Sequence, residues 1–200
     1  MAEGGASPGP KGRSGLRAVL LGAPGSGKGT QAVVLAGALG VPAISTGEML
    51  RDAVAHGSEL GHKVKGIMAS GALVNDDLMA EVVRDRLSRP DAAQGFLLDG
   101  YPRTTGQAST LDRILDERRD QLDAVVLLEV PEVVLVRRAV SRRREDDREE
   151  VVRERLRIYH EKTEPLVDHY HRRSLLRRID GELPVTAVTA AILAALKGRG

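Results

Sequence analysis

Residues 22–30 read GAPGSGKGT, between an apolar run over 16–21 and a helix-forming run over 28–39. The spacing matches the G-x-x-x-x-G-K phosphate loop, placed as that motif requires after a strand and before a helix. Glycines let the backbone point its N–H groups at a phosphate, and the helix N-terminus adds about half a positive charge. The pattern predicts a binding site for a nucleoside triphosphate, with Lys28 reaching its β- and γ-phosphates.

Candidate magnesium ligands lie in two parts of the sequence. The loop has Gly29 after the lysine, where Ser or Thr is usual, and Thr30 follows one position later. Asp99 ends the apolar run 96–99, which is the usual place for a carboxylate that faces Mg²⁺. The alternative is that Asp99 caps the helix that follows it.

The order of the predicted elements indicates an α/β fold. Helical stretches separate five short runs with strand character, at 16–21, 41–44, 96–99, 124–130 and 175–179. This alternation predicts a parallel sheet of about five strands with helices on both faces. Two stretches interrupt it: 45–74 is helical, with Ser45 or Thr46 as the predicted cap of its first helix, and 142–150 has no apolar residue. After the charged run we predict one long helix to about Tyr170.

Composition limits the class of protein. The 200 residues predict a single domain over 16–200, after a tail over 1–15 that is rich in Gly, Pro, Ser and Ala and is expected to be disordered. The absence of cysteine excludes disulfides, a thiol nucleophile and a thiolate zinc site. No apolar run reaches the roughly 18 residues that cross a membrane. Lys and Arg (30) nearly balance Asp and Glu (28), so we expect neither nucleic acid nor a membrane as partner.

Several segments together resemble the adenylate kinases, within the nucleoside monophosphate kinase family. They are GAPGSGKGTQ at 22–31, with the family's Gly-Thr variation after the lysine, STG at 45–47 with MLR at 49–51, GALV at 71–74, and LDGYPRT at 98–104 with Gln107 at its usual distance. Asn75 stands where the family often has proline. A pattern of Arg and Asp around the charged run also matches, at Arg138, Arg142, Arg144, Asp146, Asp147 and Arg155.

The resemblance implies a P-loop NTPase-like fold with a monophosphate-binding segment, 45–74, and a lid, 141–151. The implied reaction is reversible, Mg²⁺-dependent phosphoryl transfer from ATP to AMP, which gives two ADP. Such transfer needs positioning and charge neutralisation, and the acceptor phosphate is already ionised, so no general base is required. Because the lid is short and has no cysteine, the chain looks like the short-lid members without structural zinc.

The resemblance also implies roles for individual residues. ATP contacts are implied for Gly25, Ser26, Gly27, Lys28, Gly29, Thr30, Arg138 and Arg142. AMP contacts are implied for Thr46, Gly47, Arg51, Val74, Gly100, Arg103, Gln107, Arg144 and Arg155. The implied catalytic residues are Lys28, Arg103, Arg142, Arg144 and Arg155, and Asp99 is expected to hold Mg²⁺ through water.

Two other functions stay open at this point. A UMP/CMP kinase of the same family usually has Ala in place of Thr46 and Asn near Thr104 and Gln107, so these three positions favour AMP. A phosphate-loop switch that binds a nucleotide without transfer needs no second phosphate site, whereas Arg51 and Arg103 lie on separate segments and favour one. No targeting signal is visible and nothing requires an oligomer, so we predict a monomer in the cytoplasm.

Overall fold

A parallel sheet of five strands lies at the centre of the computed structural model, which describes residues 15–141 and 147–197. The strands are β1 (Arg17–Leu21), β2 (Ala43–Ser45), β3 (Phe96–Asp99), β4 (Ala124–Glu129) and β5 (Leu176–Asp180). Their spatial order is β2-β3-β1-β4-β5, and each pairing is parallel. The predicted α/β fold is therefore confirmed.

Helices connect the strands and cover the sheet. They are α1 (Lys28–Leu39), α2 (Thr46–Ala55), α3 (Glu59–Ser70), α4 (Asp76–Ser88), α5 (Thr105–Glu117), α6 (Glu132–Ser141), α7 (Glu149–Ile158), α8 (Pro165–Arg172) and α9 (Val185–Lys197). A 3₁₀ turn spans Pro90–Ala92, and a π-turn (Tyr159–Thr163) lies between α7 and α8. Of the helices in the described ranges, none has both the length and the apolar composition to cross a membrane.

Side chains of β1 alternate between the two faces of the sheet, as the pleat of a strand requires. Val19 and Leu21 belong to a buried cluster with residues of α4, α5 and α8. Ala18 and Leu20 belong to a second cluster with residues of α1 and α9. Both faces of the sheet are thus covered, which explains why the central strands read as continuous apolar runs.

The single helix predicted to run to about Tyr170 is a wrong prediction, because the π-turn divides it. The N–H of Glu164 donates to the Tyr159 carbonyl at 2.8 Å, five residues back instead of four. Pro165 has no N–H to continue the α-helical pattern, and a proline ring conflicts with the carbonyl four residues earlier. The segment therefore consists of α7, the π-turn and α8.

The 45–74 stretch contains α2 and α3, in agreement with its predicted helical character. The charged run falls mostly on 142–146, which lie outside the described residues, as do 1–14 and 198–200. The predictions for Arg142 and Arg144 and for the N-terminal tail concern those parts of the chain.

Candidate active site

The carboxyl ends of β1, β2 and β3 meet at one edge of the sheet. β1 lies between β3 and β4 in the sheet. The chain runs from β1 to β2 on one side of β1, and later from β3 to β4 on the other side. Open parallel sheets bind ligands in the crevice at such a switch in strand order. The phosphate loop follows β1, Ser45 ends β2 and Asp99 ends β3 at this position.

Backbone conformation shapes the loop between β1 and α1. Gly25 and Gly27 have φ values of 89° and 97°, a region that other residues rarely adopt. A Cβ atom on Gly25 would lie 2.4 Å from the carbonyl oxygen of Leu135. α1 begins at Lys28 and has no acidic residue in its first turn, so its positive N-terminal end is not neutralised there.

The Lys28 side chain is held against the phosphate loop. Its ammonium Nζ donates to the carbonyl oxygens of Gly22 at 2.7 Å and of Ala23 at 3.0 Å. Ser26 is buried, and its Oγ lies 3.5 Å from the same ammonium. The loop therefore holds a cation beside the N-terminus of α1, where the two positive contributions act together.

Asp99 faces the first turn of α1. The carboxylate is 9% exposed, and its Oδ2 accepts a hydrogen bond from the Ser45 hydroxyl at 3.2 Å. A Cβ atom built on Gly29 would lie 3.8 Å from this oxygen. The cap of the next helix is Thr104, whose Oγ accepts from the N–H of Gln107 at 3.0 Å. Asp99 is thus not the cap of that helix.

A magnesium ion that arrives with a triphosphate fits this donor set. Mg²⁺ is usually held by one or two carboxylates, by waters and by substrate phosphates, and seldom by an all-protein cage. Asp99 supplies a carboxylate, and Ser45 orients one of its oxygens. Across 15–141 and 147–197, no group of three or more His, Cys, Asp or Glu is arranged to hold a metal ion. Water and substrate phosphates would therefore have to supply the other ligands.

Two adjoining cavities open along this edge of the described chain. The larger has a volume of about 530 Å³, and its lining includes Gly25, Gly27, Lys28, Gly29, Thr30, Asp99 and Arg138. The smaller has a volume of about 50 Å³, and its lining includes Thr46, Leu50, Val74, Met79 and Gln107. Seven residues line both cavities: Gly47, Arg51, Gly71, Leu73, Gly100, Arg103 and Arg155. We call this shared wall, defined by those seven residues, the junction.

The junction brings together arginines from three separate elements. Arg51 lies on α2, Arg103 precedes α5, and Arg155 lies on α7. The Arg103 Nε donates to the Gly100 carbonyl at 2.8 Å. The Arg155 Nη1 lies 3.6 Å from Oδ1 of Asp147, a buried carboxylate. Planar guanidinium groups bind phosphate oxygens in pairs, so this wall is suited to phosphate groups from both sides.

Arg138 and Ser26, both of the predicted ATP site, differ in their relation to the larger cavity. Arg138 lines the larger cavity, and its guanidinium donates to the carbonyl oxygens of Gly181 at 2.8 Å and Glu182 at 3.4 Å. Ser26 lines neither of the two cavities and lies within the loop instead. Its contribution is therefore to the shape of the loop and to the place of Lys28.

Polar groups in the smaller cavity are held in defined positions. The buried Gln107 accepts from the Arg103 N–H through Oε1 at 2.7 Å and donates to Asp76 through Nε2 at 2.7 Å. A primary amide has two N–H groups and two acceptor lone pairs, so one of each remains for a ligand. The Thr46 hydroxyl donates to the Asp99 carbonyl at 3.4 Å.

Sequence reasoning gave no role in the site to Ser45, Asp76 or Thr163. Ser45 or Thr46 was the predicted cap of α2. Ser45 does occupy the N-cap position, but its hydroxyl bonds Asp99 and makes no cap hydrogen bond. Asp76 holds both Gln107 and the Thr104 hydroxyl, which lies 3.1 Å away. Thr163 donates to the backbone of Arg103. The partners are 28 to 60 positions apart, a separation at which local spacing gives no signal.

Comparison with known proteins finds extensive similarity to one family. The family model for adenylate kinase matches residues 20–175. The adenylate kinase of Kosmotoga olearia is 46% identical over 208 aligned residues, which cover 88% of this chain and 97% of that protein. The adenylate kinases of Stenotrophomonas maltophilia and Nocardia farcinica are each 48% identical, over 92% and 90% of this chain and 100% and 99% of their own lengths. The chain belongs to the adenylate kinase family of phosphotransferases.

Proposed function

We propose that the protein transfers the γ-phosphoryl group of ATP to AMP, reversibly, and so forms two ADP. The observation that carries this proposal is the junction, because Arg51, Arg103 and Arg155 border both cavities. A protein that binds one nucleotide needs one phosphate site. Two adjoining sites with shared cations suit a donor and an acceptor whose phosphates must meet.

The triphosphate belongs in the larger cavity. There the loop N–H groups, the N-terminus of α1 and Lys28 offset the charge of the β- and γ-phosphates. Arg138, fixed by the carbonyls that follow β5, is proposed to contact the adenine of ATP. The six predicted loop residues, Gly25 to Thr30, form the remainder of this donor site.

The monophosphate is proposed to bind along the lining of the smaller cavity, which has a volume of about 50 Å³ and must widen to admit a nucleotide. Arg51 and Arg103 would bind its phosphate at the junction, and Thr46, Gly47, Val74 and Gly100 would line the nucleoside. Gln107 keeps one N–H and one lone pair for the base, which are the groups that an adenine edge requires. A pocket built on such hydrogen bonds discriminates between bases more strongly than an apolar one.

The transfer needs no general base. An ionised phosphate oxygen of AMP attacks the γ-phosphorus, and the bond between that phosphorus and the β–γ bridging oxygen breaks. Lys28, Arg103 and Arg155 would stabilise the charge on the transferring group, together with the predicted Arg142 and Arg144. Positioning and fixed positive charge supply most of the rate in such reactions.

Magnesium is the proposed cofactor, held by Asp99 through water. Mg²⁺ neutralises charge on the β- and γ-phosphates when it is bound with ATP. Asp99 and the Ser45 hydroxyl that orients it would fix the position of the metal–phosphate complex. We propose no structural zinc, since the sequence has no cysteine.

Water competes with AMP as an acceptor, so the site should be completed only when both nucleotides are bound. We propose that 45–74 and 141–151 close over AMP and ATP respectively.

We also propose that the protein acts as a monomer in the cytoplasm. Gel filtration at micromolar concentration, with one peak near the 21.5 kDa chain mass, is the expected result for the oligomeric state.

The experiment that tests the proposal is ADP formation from Mg²⁺-ATP with AMP, UMP, CMP or no acceptor, in parallel. We expect rapid ADP formation with AMP and little in the other three conditions, because Thr46 and Gln107 are proposed to recognise adenine. Preference for UMP or CMP would overturn the assignment of adenine as the acceptor base, but it would still support phosphoryl transfer. Phosphate release without an acceptor would indicate a hydrolase, and ATP binding without turnover would indicate a switch.

A further inference from the structure

The backbone of Arg103 is held on both sides by side chains. Its N–H donates to the Gln107 amide oxygen at 2.7 Å, and its carbonyl accepts from the Thr163 hydroxyl at 2.7 Å. Gln107 is only four positions away, whereas Thr163 is 60 positions away on a different element. Arg103 is therefore fixed both by the first turn of α5 and by the helical segment that follows α7.

Thr163 reaches Arg103 because of the π-turn. It is the last residue of that turn, it is 5% exposed, and it lines the larger cavity together with Tyr159. The turn accommodates one more residue than an α-helical turn, and Pro165 prevents the α-helical pattern from continuing. Single π-turns within helices occur frequently at functional sites.

We propose that Thr163 is a positioning residue for the AMP phosphate and that it acts through Arg103. This inference rests on the proposed function, in which Arg103 binds that phosphate. A shift of about 1 Å in a charged group at a reacting centre can cost about 100-fold in rate. The Thr163 hydroxyl limits such a shift, since it anchors the Arg103 carbonyl to a turn whose geometry is set by Pro165.

The matched variants are Thr163→Val, which keeps the shape and removes the hydroxyl, and Thr163→Ser, which keeps the hydroxyl. We expect Thr163→Val to raise the KM and the Kd for AMP about tenfold, the size expected for one hydrogen bond. We expect KM for ATP to change less than about twofold, and Thr163→Ser to stay within about twofold of the unchanged protein on the same reasoning.

Thr189→Val is the control for loss of a buried threonine hydroxyl. Its hydroxyl donates to Gln31 at 2.7 Å between α9 and α1, and Thr189 lines neither of the two cavities. This variant is expected to lower Tm without a change in KM for AMP. In an Arg103→Ala background, Thr163→Val should weaken AMP binding measured by calorimetry by less than about twofold, since its effect runs through Arg103.

Three results would overturn the inference. Thr163→Val could leave KM for AMP unchanged, Thr163→Ser could be as impaired as Thr163→Val, or the effect could persist in the Arg103→Ala background. If Thr163→Val does not fold, Thr163→Ala against Thr163→Ser makes the same comparison. Failure of the proposed function is distinct, because the unchanged protein would then not phosphorylate AMP at all.

Discussion

At the scale of single residues, two tyrosines are the largest side chains that are completely buried. Tyr101 and Tyr170 belong to the same core cluster, and neither hydroxyl has a hydrogen-bond partner in the described ranges. Burial, with a smaller contribution from Asp76, raises the pKa of Tyr101 to about 12. Burial also raises the pKa of Tyr170. Both phenols therefore stay neutral at pH values at which an exposed tyrosine ionises.

Tyr101 is expected to make the protein sensitive to alkaline pH. The pKa of Tyr101 in the folded protein lies above the unfolded value of about 10. The buried neutral phenol therefore contributes fully to stability below pH 10, and this contribution is lost as pH rises towards 12. At pH 8, Tyr101→Phe should have nearly the same free energy of unfolding as the unchanged protein. At pH 11, its free energy of unfolding should be higher by about 1 to 2 kcal/mol. Denaturant unfolding at the two pH values checks this. An equal loss of unfolding free energy between pH 8 and pH 11 in Tyr101→Phe and in the unchanged protein would contradict this expectation.

Residue types at the site follow from the sequence, but their partners do not. Lys28 and Asp99 could be identified because each follows a strand in a recognisable pattern. Asp76 lies in the first turn of α4, where no sequence pattern marks it as part of a site, although its carboxylate holds Gln107. Such pairs form only when the chain folds, because the partners come from separate elements.

At the scale of elements, α2 and α3 pack closely at one glycine. A Cβ atom on Gly61 would lie 2.0 Å from the carbonyl oxygen of Ala53, so α3 cannot carry a larger side chain there without moving. Gly66, on the same helix, is exposed and has no heavy atom within 4 Å of a Cβ in the same test. The two glycines therefore differ in what they do for the segment 45–74.

Alanine at these two positions should have opposite effects. Gly61→Ala is expected to lower the free energy of unfolding by about 1 to 3 kcal/mol, the usual cost of overpacking. Gly66→Ala is expected to raise it by about 0.5 to 1 kcal/mol, since alanine favours the helix. Denaturant unfolding compares them directly. Equal stability of the two variants would contradict the close packing of α2 against α3.

Element ends were predictable where the chain has a strong local signal. α1 ends at Gly40 and α3 at Gly71, both with positive φ, and β3 ends at Asp99 as predicted. The division of the helix after the charged run was missed, although Pro165 was its signal. A proline near the start of a helix is tolerated, so sequence alone does not separate a new helix from a continued one.

At the scale of the whole molecule, the strand order determines where the reaction takes place. β1 and β3 are neighbours, with Leu20 paired to Asp99, so the loop after β1 and the carboxylate of β3 share one crevice. The helical segment 45–74 and the helix α7 both contribute arginines to that crevice. The sequence predicted this sheet because continuous apolar strands alternate with helices, but the junction depends on three-dimensional contacts.

The central claim is direct transfer between two nucleotides that meet at the junction. The most direct measurement is the fate of a γ-³²P label from Mg²⁺-ATP in the presence of AMP. The account predicts that the label appears in the β-phosphate of newly formed ADP, in proportion to the AMP consumed, with little labelled inorganic phosphate. Label released mainly as inorganic phosphate, whether or not AMP is present, would contradict it.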